Sequence, residues 1–329
     1  MRRKQVEKKT DFKRHHSLFR RYEKNPILSP EQWPYPVNAV FNPGATEVDG
    51  ETLLLVRVED MRGFSHLTIA RSKDGKTDWR WEPHPALEPD RNAHEERWGL
   101  EDPRIVWLDE RGEYAITYVS FSSSGPLVSL ALTQDFKKFT RIGPIVPPED
   151  KDASLFPRRF NGRYALIHRP IIRGEGDIWI SFSPDLRHWG DHRVLIPTRP
   201  GWWDCHRVGL GTQPIETPEG WLIIYHGVRV TASGSIYRVG LALLDLEEPW
   251  KVQRRSDEWV LGPRKPYEQL GDVPGVTFPS GAIFEEETGE LRLYYGITDT
   301  TVGLATADMD QVLSFLLSCP SPTAGEPHG

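Results

Sequence analysis

The segment Trp98-Gly99-Leu100-Glu101-Asp102-Pro103-Arg104 sets two adjacent carboxylates among an aromatic ring, a glycine and a cation. Pro103 disfavours helical geometry at the residue before it, so Asp102 is expected in an extended conformation at a strand entrance. The apolar run Ile105-Val106-Trp107-Leu108 follows directly. A carboxyl group carried on a rigid platform into a sugar-sized cleft can protonate the oxygen that leaves when a glycosidic bond breaks. The same residues also suit a turn with a solvated acidic pair, and alone they do not decide between the two.

A second set of groups could complete such a site. Lys151, Arg169, Arg207 and His226 each lie at or near the end of an apolar run. Cations on separate strands facing one funnel would hold a compact dianion such as phosphate, arginine as a planar fork and lysine as a point charge. The alternative for each is a pairing with a neighbouring acid such as Asp152 or Asp204.

Other chemistries lack their residues. There is no Gly-x-Ser-x-Gly elbow and no phosphate-binding Walker loop. The histidines show no paired helical spacing for a metal, and Cys205 and Cys319 lie far apart, so neither a metal site nor a disulfide framework is expected. Two cysteines suit a reducing compartment, and a cytoplasmic location is expected. The net charge of −6 gives no footprint for nucleic acid, and no run is apolar enough to span a bilayer. The basic stretch Met1–Arg21 has no apolar centre and reads as an extension compatible with a homo-oligomer, not as a secretory signal.

The elements that must position these groups recur. Leu53–Arg57, Tyr114–Tyr118, Tyr164–His168, Trp221–Tyr225 and Leu291–Tyr295 are apolar runs, each followed by a second alternating strand; in the first three units an Asp turn and an aromatic follow. Five units, spaced by roughly 50–60 residues, predict an all-β, five-bladed β-propeller with short helical extensions at the termini, against a two-sheet sandwich that needs no such recurrence. The domain spans 22–317, and Ser318–Gly329 reads as a disordered tail after an amphipathic helix over Asp308–Leu317. With the apolar run of each unit taken as the channel-lining strand, Arg57, Asp102, Arg169, His226 and Asp299 are expected around one funnel. Trp98, Trp202, Trp203, Tyr225, Tyr237, Phe278 and Tyr295 lie near it in this scheme, whereas Trp79 and Trp189 read as blade packing.

Phe41-Asn42-Pro43-Gly44-Ala45, Leu55–Asp60, Gly99–Arg104, Leu155-Phe156-Pro157, His168-Arg169-Pro170, Tyr225-His226-Gly227 and Tyr294-Tyr295-Gly296 together resemble glycoside hydrolase family 130, the β-mannoside phosphorylases. The resemblance runs in order from about Tyr22 to about Leu317. It implies a five-bladed propeller and inverting phosphorolysis, in which inorganic phosphate attacks the anomeric carbon of a β-mannoside and releases α-mannose 1-phosphate without a further cofactor. It makes Asp102 the catalytic acid. It makes Lys151, Arg169, Arg207 and His226 the phosphate cradle, with Asn42, Arg57, Asp60, Tyr237 and Asp299 around the mannose and Phe278 on the acceptor side. Lysine is common in the family where Arg207 stands here. β-1,4-Mannooligosaccharides are the expected substrates; β-1,2-mannobiose or oligomannan phosphorolysis, mannosylglucose phosphorolysis, β-mannosidase activity and a non-catalytic sugar-binding propeller are the alternatives.

Overall fold

The computed structural model describes residues 18–172 and 176–322. Its strands group into five antiparallel blades. The first holds β2 (Ala39–Val48), β3 (Glu51–Glu59), β4 (Ser65–Ser72) and β5 (Arg80–Trp81); the second holds β6 (Gly99–Leu108), β7 (Glu113–Ser122), β8 (Gly125–Thr133) and β9 (Thr140–Pro144). A single parallel bridge, Ser65 to Gly99, joins these two. The third holds β10 (Asp150–Leu155), β11 (Tyr164–Pro170), β12 (Ile178–Ser183) and β13 (Gly190–Ile196). The fourth is β14 (Arg207–Leu210), β16 (Gly220–Thr231), β17 (Gly234–Leu244) and β18 (Val252–Arg255), with β15 (Ile215–Thr217) also on β16. The fifth is β19 (Thr277–Glu285), β20 (Glu290–Ile297) and β21 (Thr301–Asp308), completed at its outer edge by β1 (Arg20–Arg21) from the other end of the chain.

The cores prove that the ring closes. Five apolar clusters fill the five gaps between neighbouring blades, and one of them packs Leu54, Val56 and Val58 of the first blade against Tyr294, Val302 and Leu304 of the last. Within β3, Leu53 and Leu55 face the second blade while Leu54, Val56 and Val58 face the fifth. In β16, Trp221, Ile223 and Tyr225 face the third blade while Leu222 and Ile224 face the fifth. Alternate side chains therefore enter two different cores, both dry, and the strand reads as an unbroken apolar run.

These runs are the second strands of their blades, so the expectation that they line the channel is corrected. The innermost strands are β2, β6, β10, β14 and β19. They carry polar residues toward the centre and are shorter in apolar content, which hid them from a search for hydrophobic periodicity. Arg57, Arg169 and His226 accordingly stand on second strands, whereas Asp102 stands on an inner one.

The terminal helix α1 runs over Met309–Ser318, one residue later than expected, with Asp308 capping it by accepting from the Gln311 N–H. Val312 and Leu316 bury against the core between the fourth and fifth blades. The basic arm read over Met1–Arg21 falls largely on residues 1–17, and most of the tail read over Ser318–Gly329 on residues 323–329, outside the described residues. Among the described residues, no helix is long and apolar enough to cross a membrane.

Candidate active site

Three consecutive inner strands carry the same irregularity. The pairing register slips after Phe41, after Glu101 and after Lys151, so Asn42-Pro43, Asp102-Pro103 and Asp152-Ala153 each stand against a single residue of the second strand. Asn42, Asp102 and Asp152 have φ of 44°, 50° and 54°. Asp102 is therefore left-handed inside a strand, not extended at its entrance. A bulge needs one residue at positive φ, which Asn and Asp tolerate best, and proline fits where no ladder N–H is required. The three bulges turn three polar side chains into the centre of the ring.

Asp102 is buried, and its Oδ1 accepts from Asn42 Nδ2 at 2.9 Å and from Arg57 Nη1 at 3.1 Å. The other arm of Arg57 binds Glu101 Oε1 at 3.0 Å, and Glu101 Oε2 lies 4.0 Å from Lys151 Nζ. Burial pushes the Asp102 carboxyl up, but Arg57, Lys151 and Arg104 together with the Asn42 amide outweigh it and hold the pKa below its ordinary value. Arg104 is wholly buried beneath the bulge, where it donates to the carbonyls of Asp102, Pro103 and Gly211. It ties the second blade to the fourth under the site.

Lys151 and Arg169 face each other across β10 and β11. Arg169 Nε binds Asp152 Oδ2 at 2.7 Å, and the same oxygen lies 3.5 Å from His226 Nε2. Burial again pushes Asp152 up and is overcome, here chiefly by the Arg169 guanidinium paired with it and by Lys151, so the carboxylate stays ionised. Behind it, Asp150 accepts from the Arg169 backbone N–H at 3.1 Å and pairs with His168 at 2.6 Å, fixing the strand that presents the guanidinium. On the fourth blade Arg207 Nη2 donates to the Tyr237 hydroxyl at 3.0 Å. The His226 ring packs 4.6 Å from Phe278 and 5.7 Å from Tyr237. Burial, reinforced by Arg169, Arg104 and Arg207 and opposed by Asp152, brings His226 down to about 3. His226 is therefore a neutral hydrogen-bonding ring and not a cation. The His226 Nδ1 and the Asn42 Oδ1 are buried with no hydrogen-bond partner among the described residues.

Asn42, Arg57, Asp102, Lys151, Arg169 and His226 are thus linked through shared partners, whereas Asp60 makes its contacts within the β3–β4 turn. Its carboxylate caps the β3–β4 turn, accepting from the backbone N–H groups of Arg62 and Phe64 and from the Arg62 guanidinium. It stands at the rim. Among the aromatics, Tyr225 and Tyr295 are fully buried on Asp204 and Glu268, and Trp203 stacks on Tyr225, so these three are packing. Trp79 and Trp189 pack against blade cores as expected. Asp204 is occupied by Arg199 and Arg255, which leaves Arg207 to Tyr237.

A family model described as β-1,4-mannooligosaccharide phosphorylase, that of glycoside hydrolase family 130, matches residues 11–318. The chain belongs to glycoside hydrolase family 130. It is thereby an enzyme of a glycoside phosphorylase family. The β-1,4-mannooligosaccharide phosphorylase of Ruminococcus albus is 36% identical over 91% of this chain and 90% of its own length. The solved structure of β-1,2-mannobiose phosphorylase from Listeria innocua with β-1,2-mannobiose superposes with a TM-score of 0.83 at 33% identity, covering 91% of this chain and 99% of that one. A second solved structure, from work describing family-130 glycoside hydrolases that target β-1,2 linkages in Candida mannan, has a TM-score of 0.78 at 27% identity over 94% and 96% of the two chains.

Several residues of this family-130 site were not assigned a role from sequence. Glu101 and Arg104 lie in the motif that singled out Asp102, but their partners are remote in sequence. Asp152 could have been found by aligning Asn42-Pro43, Asp102-Pro103 and Asp152-Ala153 as one repeated position. Gly209 and Gly296 carry no chemistry of their own. A Cβ at Gly209 would overlap Asp152 and His226, and one at Gly296 would overlap the Asn42 side chain.

Asp299 sits at the tip of the β20–β21 hairpin, where Thr298 and Asp299 at φ of 50° and 52° form the mirror-image turn that matches strand twist. Burial raises its pKa to about 6, with Arg57 opposing and Asp102 and Glu101 adding to the rise. The folded chain therefore holds this proton more tightly than the unfolded one. Its contribution favours the folded state at low pH and is lost as pH rises from about 4 to about 6. Asp299→Asn should raise stability at pH 8 by on the order of 1–3 kcal/mol and leave it nearly unchanged at pH 4. Thermal melts at both pH values check this; an equal gain at both contradicts it.

Proposed function

We propose that this protein is an inverting β-mannoside phosphorylase acting on β-1,4-mannooligosaccharides with inorganic phosphate as co-substrate. The observation that carries the reading is the placement of Lys151 and Arg169 across one strand pair, beside the acid Asp102 and across from Arg207. Such a cradle suits a nucleophile that arrives already charged, and so replaces the carboxylate base that a hydrolase needs to activate water.

In the proposed reaction a phosphate oxygen attacks the anomeric carbon from the face opposite the leaving group. The bond from that carbon to the glycosidic oxygen breaks, and Asp102 supplies the proton that the oxygen takes up. Inversion converts the β-mannoside into α-mannose 1-phosphate and a free acceptor sugar. Asn42, Arg57 and Asp299 surround the mannose. The low pKa of Asp102 rests on Lys151 and its fellow cations; a phosphate dianion beside Lys151 offsets that charge and raises Asp102 toward the protonated form when the reaction needs it.

The β-1,4 linkage is favoured by the family description and by the Ruminococcus albus relative, and a β-1,2 linkage by the likeness to the Listeria innocua structure. Incubating the protein with β-1,4- and β-1,2-mannobiose and 4-O-β-mannosylglucose, each with and without phosphate, tests the assignment. Cleavage of β-1,4-mannobiose only with phosphate is the expected result. Preference for the β-1,2 disaccharide would reassign the linkage, turnover without phosphate would make it a hydrolase, and none at all would leave a binding module.

A further inference from the structure

We propose that a row of four side chains, one from each strand of the third blade, ties the phosphate cradle to solvent and takes up a proton when the dianion binds, with His168 as the positioning residue. This deepens the phosphate reading above and rests on it. Asp150 on β10 pairs with His168 Nδ1 on β11 at 2.6 Å, His168 Nε2 meets Ser181 Oγ on β12 at 2.6 Å, and that oxygen meets His192 Nδ1 on β13 at 2.6 Å. Asp150, His168 and Ser181 are buried, and His192 is exposed on the outermost strand. At the inner end the other oxygen of Asp150 accepts from the Arg169 N–H.

Strand alternation lays the four groups in one line. Tyr164 and Leu166 enter the core shared with the second blade, and Ala165 and Ile167 the core shared with the fourth, so His168 falls on the second-blade side. Ile178, Ile180 and Phe182 face the fourth blade, which puts Ser181 on the same side as His168. A polar line through a blade costs stability unless every member is bonded, and here each one is. Asp150, His168 and Ser181 share the order of a nucleophilic triad, but Ser181 is 0% exposed and its oxygen is occupied by His192, so no substrate reaches it.

The donor directions follow from what each group can give. With Asp150 ionised and His168 neutral, His168 Nδ1–H donates to Asp150, Ser181 donates to His168 Nε2, and His192 Nδ1–H donates to Ser181. A proton arriving from solvent at His192 is passed on when that N–H proton moves to Ser181 and the Ser181 hydroxyl proton moves to His168. His168 is then an imidazolium donating at both nitrogens, Ser181 donates back to His192, and no heavy atom has moved. Burial raises Asp150 above its ordinary value although His168 and Arg169 oppose it, so the carboxylate favours a cation beside it.

Charge at the inner end decides when that cation forms. Lys151 and Arg169 disfavour a further positive group, and a phosphate dianion beside them offsets both. Glu101 lies 4.0 Å from Lys151, and His226 meets Asp152 on the far side of Arg169. Asp191, paired with Arg163, and Arg193 stand beside His192, while Glu149 lies against Gly125. The second blade and the link from it cover this face with the apolar Val128, Leu130, Ile145 and Val146.

Calorimetric titration of the full chain with inorganic phosphate at pH 7, in buffers of different ionisation enthalpy, counts the protons taken up. Ser181→Ala leaves the outer N–H of the imidazolium without an acceptor, and His192→Ala leaves the Ser181 hydroxyl proton without one, so both disfavour the protonated row with small changes to packing. The wild type should take up about half a proton more per phosphate than either variant. Each variant should need about fivefold more phosphate for half-maximal phosphorolysis at an unchanged mannoside KM, since proton and phosphate binding strengthen each other equally. Phosphate's own ionisation is common to all three proteins and drops out of the difference. Equal proton numbers in all three overturn the row and leave the cradle standing, and a loss in one variant alone removes the other residue from it. Failure of the wild type to bind phosphate overturns the cradle and the row together.

Discussion

Exchanging Asp102 for Asn should leave a folded protein that binds mannoside and whose phosphorolysis falls by about a thousandfold, within the range for loss of a general acid. The amide is nearly isosteric, so the bulge and the Arg104 clasp on the carbonyl of residue 102 persist. Arg57 keeps Glu101 at 3.0 Å as its counter-charge. What the variant loses is the transferable proton. Initial rates at saturating phosphate, set beside the dissociation constant for mannobiose, separate the two effects. Full activity in this variant removes Asp102 from the role assigned to it.

Replacing Arg169 with Ala should raise the phosphate concentration needed for half-maximal rate by on the order of 100-fold, with a smaller change for mannoside. The residue is buried, and its loss also leaves Asp152 without its closest cation, which costs stability. Arg169→Lys separates binding from folding. It keeps a positive charge near Asp152 but not the planar fork, so it should fold near normally and still require more phosphate than the wild type. Steady-state kinetics with phosphate as the varied substrate read this directly. A phosphate requirement unchanged in both variants places the anion elsewhere.

How much of this was legible in the sequence follows from where each strand lies. Leu53–Arg57 and Trp221–Tyr225 announced themselves because each lies between two dry cores, and five such runs were enough to count five blades. The inner strands were not legible. Each holds a bulge and a polar face, so neither alternation nor an apolar run marks it, and residues on β3, β11 and β16 were set one strand too far inward.

Asp102 stood out because Asp-Pro is conspicuous, but its conformation did not. Proline excludes the helical region for Asp102 without choosing between extended and left-handed, and the choice is made by the register slip against Tyr118. The cations were marked as residues near strand ends, yet the neutrality of His226 depends first on its burial and then on Arg169, Arg104 and Arg207 around it. The turn that Asp60 caps, with Arg62 folded back on its carboxylate, was not legible in the sequence either. Gly209 and Gly296 matter only through what approaches them, and no spacing rule reports that.

In the proposed reaction the cradle of Lys151, Arg169 and Arg207 delivers phosphate to the carbon whose leaving group faces Asp102. Phosphorus and proton NMR of the protein incubated with β-1,4-mannobiose and inorganic phosphate test it most directly. The expected result is a growing α-mannose 1-phosphate signal in step with free mannose, and no cleavage when phosphate is omitted. Free mannose accumulating at the same rate in phosphate-free buffer would contradict it.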